Sequence, residues 1–293
     1  MKDKSKLTGG FFIRNLLIKK HISLACFTKI VYFCDLNYTN SMIMESKINQ
    51  LVQKLPKGLV LLSPWLAAEG YPYELQQRYR RSGWLKSIGK GAMVRTGDEL
   101  QLSGAITALQ TQAKASIHIG GRSALGQLGV AHYLQVNSKE LTLFAEGQFT
   151  LPLWFKKNNW DFEAKLYCTT LFTSKELGLV DYTDGELKMK MSGAARAIME
   201  CLSLAPQQFS LVEAKEIMEG LTTIRPTVVQ ELLENCKSVK VKRLFLFLAE
   251  EAEHSWFKYI DIQKIDLGSG KRSLANDGVL ISKYQLVVPK ELI

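Results

Sequence analysis

The sequence predicts an α+β protein in two parts: a small module of three helices and a hairpin over residues 45–97, then a larger mixed α/β body over residues 98–293. Three observations carry this reading. Apolar residues recur at helical spacing in short segments between residues 45 and 83. A glycine-centred hairpin pattern follows immediately. After residue 98 one helical stretch gives way to strand-like runs and then to a mainly helical end.

The first helix is Glu45–Leu55, with Ile48, Leu51, Val52 and Leu55 on one face, and it stops at Pro56-Lys57-Gly58. Ser63-Pro64 starts the second, with serine placed to cap and proline at the first helical position. That helix runs to Glu69 and stops at Gly70; a third begins at Pro72 and ends at Ser82-Gly83. Trp84–Ile88 and Ala92–Arg95 then form a hairpin around Gly89-Lys90-Gly91. Two short helices joined by a glycine turn and followed by a hairpin make a winged helix-turn-helix.

On the third helix, Leu75 and Tyr79 share an inward face, while Tyr73, Gln77 and Arg80 lie opposite with Gln76 and Arg81 flanking. Amides pair with adenine, and arginines with guanine or phosphate, so this face has the chemistry of a recognition helix. Lys86, Lys90 and Arg95 on the wing are placed to reach phosphate. A protein-interaction module of the same shape is the alternative, in which Arg80 and Arg81 are a solvated face.

In the body, a helix is predicted over Glu99–Gln112, with Leu102, Ala105, Ile106 and Leu109 on one face. Strand-like runs follow at Ser116–Ile119, His132–Val136, Leu141–Phe144, Phe149–Phe155 and Lys165–Phe172. Helical spacing returns at Met191–Leu204, Leu211–Gly220 and Thr227–Cys236, the last with Pro226 just before it. Val239–Glu250 suits helix or strand; Gly268–Gly270 and Gly278 mark turns before a final strand at Tyr284–Val288. The leader, residues 1–44, has apolar runs broken by Arg14, Lys19, Lys20 and Lys29, without the unbroken core and cleavage site of a signal peptide. It reads as upstream sequence, with the natural start at Met42 or Met44; a membrane-surface amphipathic segment is the alternative.

The formal charge of +10 is unevenly placed. Residues 45–97 hold nine Lys/Arg against three acids, the leader seven against two, and the body 22 against 23. A basic module on a neutral body points to a polyanion as the partner of the module. The five cysteines are scattered without a C-x-x-C, so they suggest neither a disulfide framework nor a zinc site and suit a cytoplasmic protein. No apolar stretch approaches the ~18 residues that span a membrane.

Several motifs fail on inspection. Gly268-Ser269-Gly270-Lys271 lacks the upstream glycine of a phosphate loop, where Ile265 stands, and Arg272 replaces the magnesium-binding hydroxyl. Gly120-Gly121 with Ser123 resembles the opening of a nucleotidyltransferase motif, yet no Asp or Glu follows before Lys139 to hold metal. Glu163-Ala164-Lys165 matches half of a metal-dependent nuclease site, for which Glu146 and Asp161 are poor partners. Asp181, Asp184 and Glu186 around Gly185 read as a solvated turn, and His118, His132 and His254 as structural. No catalytic residue, metal or cofactor is expected.

The run Ser63–Arg95 resembles the N-terminal domain of the AbiEi antitoxins, transcriptional regulators of bacterial type IV toxin–antitoxin systems linked to abortive phage infection. The similarity continues through Ile117–Gly129, Glu219–Pro226, Ser238–Glu250, Ile265–Arg272 and Lys283–Pro289. It implies an autorepressor that binds inverted repeats in its own promoter through Tyr73, Gln76, Gln77, Arg80, Arg81 and the wing. It also implies an antitoxin body, 98–293, that opposes a nucleotidyltransferase toxin without a stable complex. Lys240, Lys242, Arg243, Lys271 and Arg272 lie in the strongest of these blocks and are the expected antitoxin surface. Repression and antitoxicity are expected to separate near residue 97. The rival readings are a metal-dependent nuclease targeted by its winged helix and a pure interaction adaptor.

Overall fold

The structure is a computed structural model that describes residues 47–130 and 139–293. The leader 1–44 and the strand expected at His132–Val136 lie outside the described residues. The chain forms two compact units, Met1–Leu55 and Pro56–Ile293. The described part of the first unit is a helix at 47–54 (α1), which ends two residues before Pro56.

The second unit opens with β1 (Leu61–Leu62), α2 (Ser63–Ala68), α3 (Tyr73–Arg81), β2 (Leu85–Gly89) and β3 (Ala92–Arg95). The three strands form an antiparallel sheet in the order β1-β3-β2. Helix, strand, two helices and a hairpin is the element order of a winged helix-turn-helix. The start of α2 differs from the sequence reading in one respect. Leu62, not Ser63, holds the cap position, and no side chain caps the helix. β1 runs straight into α2, and the Ser63 N–H donates to the Gly91 carbonyl in the wing turn (2.9 Å). The hairpin thus satisfies a donor that a cap would otherwise serve.

The body is organised on a five-stranded sheet in the order β6-β5-β4-β8-β7, formed by β4 (Ile117–Ile119), β5 (Glu140–Glu146), β6 (Glu163–Thr169), β7 (Leu179–Asp184) and β8 (Leu187–Ser192). β4 pairs antiparallel with β5 and parallel with β8; β5–β6 is parallel and β7–β8 a hairpin. Helix α4 (Leu102–Thr111) lies on β4 and β8, and α5 (Gly121–Gln127) on β5. Two expectations are corrected. Phe149–Phe155 is not a strand: α6 (Leu153–Lys157) starts after Pro152, because Leu151, Trp154 and Phe155 bury one helical face. The segment before residue 193 belongs to β8, where buried Leu187, Met189 and Met191 alternate with exposed Lys188 and Lys190. Helix α7 (Ala194–Leu204) begins only after Gly193.

Three further helices follow, α8 (Leu211–Gly220), α9 (Pro226–Asn235) and α10 (Val239–Glu251), which settles the ambiguous stretch as helix. Ser238 caps α10, its hydroxyl accepting from the Val241 N–H. A small sheet, β9 (Arg272–Ser273), β10 (Val279–Ile281) and β11 (Leu286–Val288), closes the chain in the order β10-β11-β9.

Residue 97 is bridged by several bonds. The Asp98 carboxylate accepts from the Gly58 N–H (2.8 Å) and from Arg95 Nε (2.9 Å). The Gln112 amide, just past α4, donates to the Val60 carbonyl and accepts from the Leu62 N–H. α4 therefore serves the module and the body together.

Candidate nucleic-acid interface

The outward face of α3 is set by what the helix buries. Tyr79 is 2% exposed, and burial, with Tyr71 beside it, pushes its phenol up to about 12. It remains an un-ionised anchor under the helix. Gln76 is also 2% exposed, and its side-chain NH₂ donates to the carbonyls of Ser63 (2.9 Å) and Tyr71 (2.8 Å). This corrects the placement of Gln76 on the groove face. The carbonyls of the helix-turn-helix corner need a donor, and Gln76 supplies it. Tyr73 (58% exposed), Gln77, Arg80 and Arg81 remain outward, so the face keeps an aromatic, an amide and two guanidinium groups.

On the wing, Lys86 and Lys90 are exposed. Arg95 is not a free phosphate ligand as expected: its side chain is 11% exposed and paired with Asp98. It braces the end of β3 against the chain leading to α4. Trp84 is 45% exposed at the foot of the wing, beside the C-terminus of α3. From the sequence it reads only as a strand residue. The wing is further held from the body. A Cβ on Gly89 would lie 2.7 Å from Trp154 Cβ, and the Asn158 amide donates to the Ile88 carbonyl (2.8 Å).

The expected antitoxin surface divides. Lys242 and Arg243 are 5% and 3% exposed and face inward. Lys242 Nζ donates to the Asp266 carbonyl (2.8 Å), and Arg243 donates to the carbonyls of Leu267, Gly268, Gly270 and Gln285. Lys240 is half-buried, its ammonium bonded to the carbonyls of Ser203 and Ala205, and burial lowers its pKa. These three are internal braces and not a surface. Lys271 and Arg272 are exposed. The turn at Gly268–Gly270 is held from inside by Arg243, which donates to the carbonyls of Gly268 and Gly270, and the Gly268 N–H is taken by the Asp266 carboxylate (2.8 Å).

The other tempting motifs also resolve. The Gly121 N–H at the start of α5 donates to Glu200 Oε2 (2.9 Å), a carboxylate that is fully buried. Glu200 also accepts from Ser192 and Arg196 and bonds His118 Nε2 (2.9 Å). Burial alone would raise its pKa, but the His118 ring and the Arg196 guanidinium hold it down at about 2. His254 likewise bonds the Met218 carbonyl. Opposite Glu163 stands Glu140, an acid that the sequence reading did not weigh; Lys165 is paired with Glu140 at the exposed sheet edge. Among the described residues no group of three His, Cys, Asp or Glu is placed to hold a metal, and no helix is long and apolar enough to cross a membrane.

A helix-turn-helix with an outward Gln/Arg face and a lysine-tipped wing defines a winged-helix protein of the regulator class. The chain belongs to the AbiEi antitoxin family, transcriptional regulators of type IV toxin–antitoxin systems. The family's N-terminal domain model matches residues 44–136, and its antitoxin and regulator model matches residues 138–289. Among solved structures, the chain is similar to the Rv2827c protein from Mycobacterium tuberculosis, with a TM-score of 0.51 at 14% identity over 82% of this chain and 89% of that one. No curated protein matches it.

Proposed function

We propose that this regulator represses its own promoter by setting α3 into the major groove of inverted repeats, with the wing on the flanking backbone. Its body opposes a toxin of the nucleotidyltransferase class without a stable complex, in the cytoplasm and without catalysis or cofactor. The observation that carries the DNA reading is the outward face of Tyr73, Gln77, Arg80 and Arg81 on a helix pinned from beneath by Gln76 and Tyr79. The reading helix is rigidly presented, and its free groups are those that recognise base edges. Lys271 and Arg272 are the remaining candidates for the antitoxin surface.

Titration of promoter DNA tests the reading. Arg80→Ala is expected to weaken specific binding by roughly 1–3 kcal/mol, as loss of a base-reading arginine does. Unchanged affinity of the folded variant removes Arg80 from the interface. Salt-insensitive binding of the parent protein would favour the interaction-adaptor reading. Co-expression with the cognate toxin, at matched protein levels, tests the second half, with Lys271→Ala/Arg272→Ala expected to reduce protection.

A further inference from the structure

In the five-stranded sheet, β4 and β8 run parallel but share one register pair, Ile119 with Met191. Towards their N-terminal ends the ladder between them is replaced by one side chain. Gln110 of α4 donates to the carbonyls of Ile117 and Lys190 (both 2.8 Å) and accepts from the Lys190 N–H (2.8 Å). Beside this bridge opens a cleft of about 410 Å³, between the end of α4, β4, β8 and the segment leading into β7. Its volume lies in the range of about 300–1,000 Å³ that small-ligand sites occupy.

The lining is uneven in charge. Lys114, Lys175, Lys188 and Lys190 face the cleft with only Glu176 and Asp181 to offset them. Lys190 stands 3.5 Å from Glu176. Among the described residues, the other three lysines form no ion pair, although the body as a whole is close to neutral. Ile117, Leu179 and Met189 add an apolar wall, and Gln110, Thr111 and His118 add polar edges. Several ammonium groups around one cavity suit an oligophosphate, which lysine meets as a point charge without demanding bidentate geometry. The apolar wall suits a flat ring carried on that phosphate.

We infer that this cleft binds a nucleotide-sized phosphate ester, its phosphates on the lysines and its ring against Ile117, Leu179 and Met189. The site is separate from the DNA face and independent of the reading of α3. The lysine side chains make no bond that the fold needs, so their replacement leaves a folded protein to test.

Calorimetric titration of the full chain with ATP, and separately with inorganic pyrophosphate, tests the inference. Saturable ATP binding is expected, about tenfold weaker in Lys175→Gln/Lys188→Gln as two charged contacts are lost. Lys264→Gln/Lys290→Gln, which removes the same charge elsewhere, should leave it unchanged, and melting curves confirm folding. Absence of saturable ATP binding, or equal loss in both double variants, overturns the site. Pyrophosphate binding as tight as ATP overturns the ring half of the assignment. Promoter affinity should be the same in parent and Lys175→Gln/Lys188→Gln; a parallel fall would make the lysines part of a DNA surface and overturn the small-ligand reading.

Discussion

Arg80 and Arg81 on α3 are exposed, whereas Lys242 and Arg243 on α10 are 5% and 3% exposed. Each pair belongs to a cluster of cations on one helix, and each was a reasonable choice for a functional surface. The difference follows from the rest of each helix. On α3 the inward positions are few, Leu75, Gln76 and Tyr79, so the opposite side is left to solvent. On α10, Leu244-Phe245-Leu246-Phe247-Leu248 is apolar around the whole circumference, which marks a helix buried on every side. A cation on such a helix has no route to water and must find carbonyls. The segment Asp266–Gly270, which has no ladder of its own, offers them. Charge in a sequence therefore predicts a binding surface only when the helix that carries it has a side to spare.

The largest expected effect tests this contrast directly. Arg243→Met should cost about 3–5 kcal/mol, because several buried carbonyls lose their donor together. Arg80→Met should stay within about 0.5 kcal/mol of the parent, as surface changes do. Denaturant unfolding of the two variants compares them. Equal stabilities would break the distinction between brace and face.

A somewhat smaller effect comes from Glu200, whose pKa falls from an ordinary 4.5 to about 2 in the fold. A carboxylate lowered by folding contributes stability that is complete above its unfolded value and disappears as pH falls through the folded one. The stabilisation, on the order of 3 kcal/mol, should thus be present above pH 4.5 and vanish by about pH 2. Glu200→Gln should be less stable at neutral pH and should show a flatter stability profile across that window. An identical acid profile in both proteins would show that the His118 and Arg196 contacts do not hold the carboxylate down.

Much of this architecture was legible, and the failures differ in cause. Helix boundaries at Pro64, Gly70, Pro226 and Gly220 could be read because they depend on local backbone chemistry. Helix α3 was legible for the same reason, as was the hairpin around Lys90-Gly91. Lys240, Lys242 and Arg243 are not legible because their partners are carbonyls brought near by folding, whereas Gln76 and Arg95 have local partners, Tyr71 and Asp98, that a reading by helical face or wing position does not show. Only the apolar run of α10 hinted at the burial of Lys242 and Arg243. The β8 alternation of Leu187, Met189 and Met191 was visible, but the helical pattern beginning at Ala194 overran it.

Within α3 the contrast narrows to neighbours. Gln76→Leu removes the side-chain bonds to the carbonyls of Ser63 and Tyr71 and should lower stability by about 1–3 kcal/mol. Gln77→Leu should leave the melting curve unchanged and weaken promoter binding instead. The reverse pattern would mean that the face of α3 is turned by one residue from that described.

The smallest effect separates the two kinds of basic residue on the wing. Lys90 sits exposed at the turn, while Arg95 is held by Asp98. If Lys90 meets phosphate, Lys90→Ala removes one counterion-releasing contact and reads no base. Affinity should then fall alike for promoter and unrelated DNA, and the salt slope should flatten by about one unit. Arg95→Ala should leave the slope as it was, because a guanidinium already paired within the protein displaces no counterion from DNA. It should still lower stability, since Asp98 would keep only its bond to the Gly58 N–H. Binding isotherms over a range of salt concentrations decide between them. A sequence-selective loss in Lys90→Ala would move the wing tip into a groove, and a flattened slope in Arg95→Ala would show that DNA draws this arginine away from Asp98.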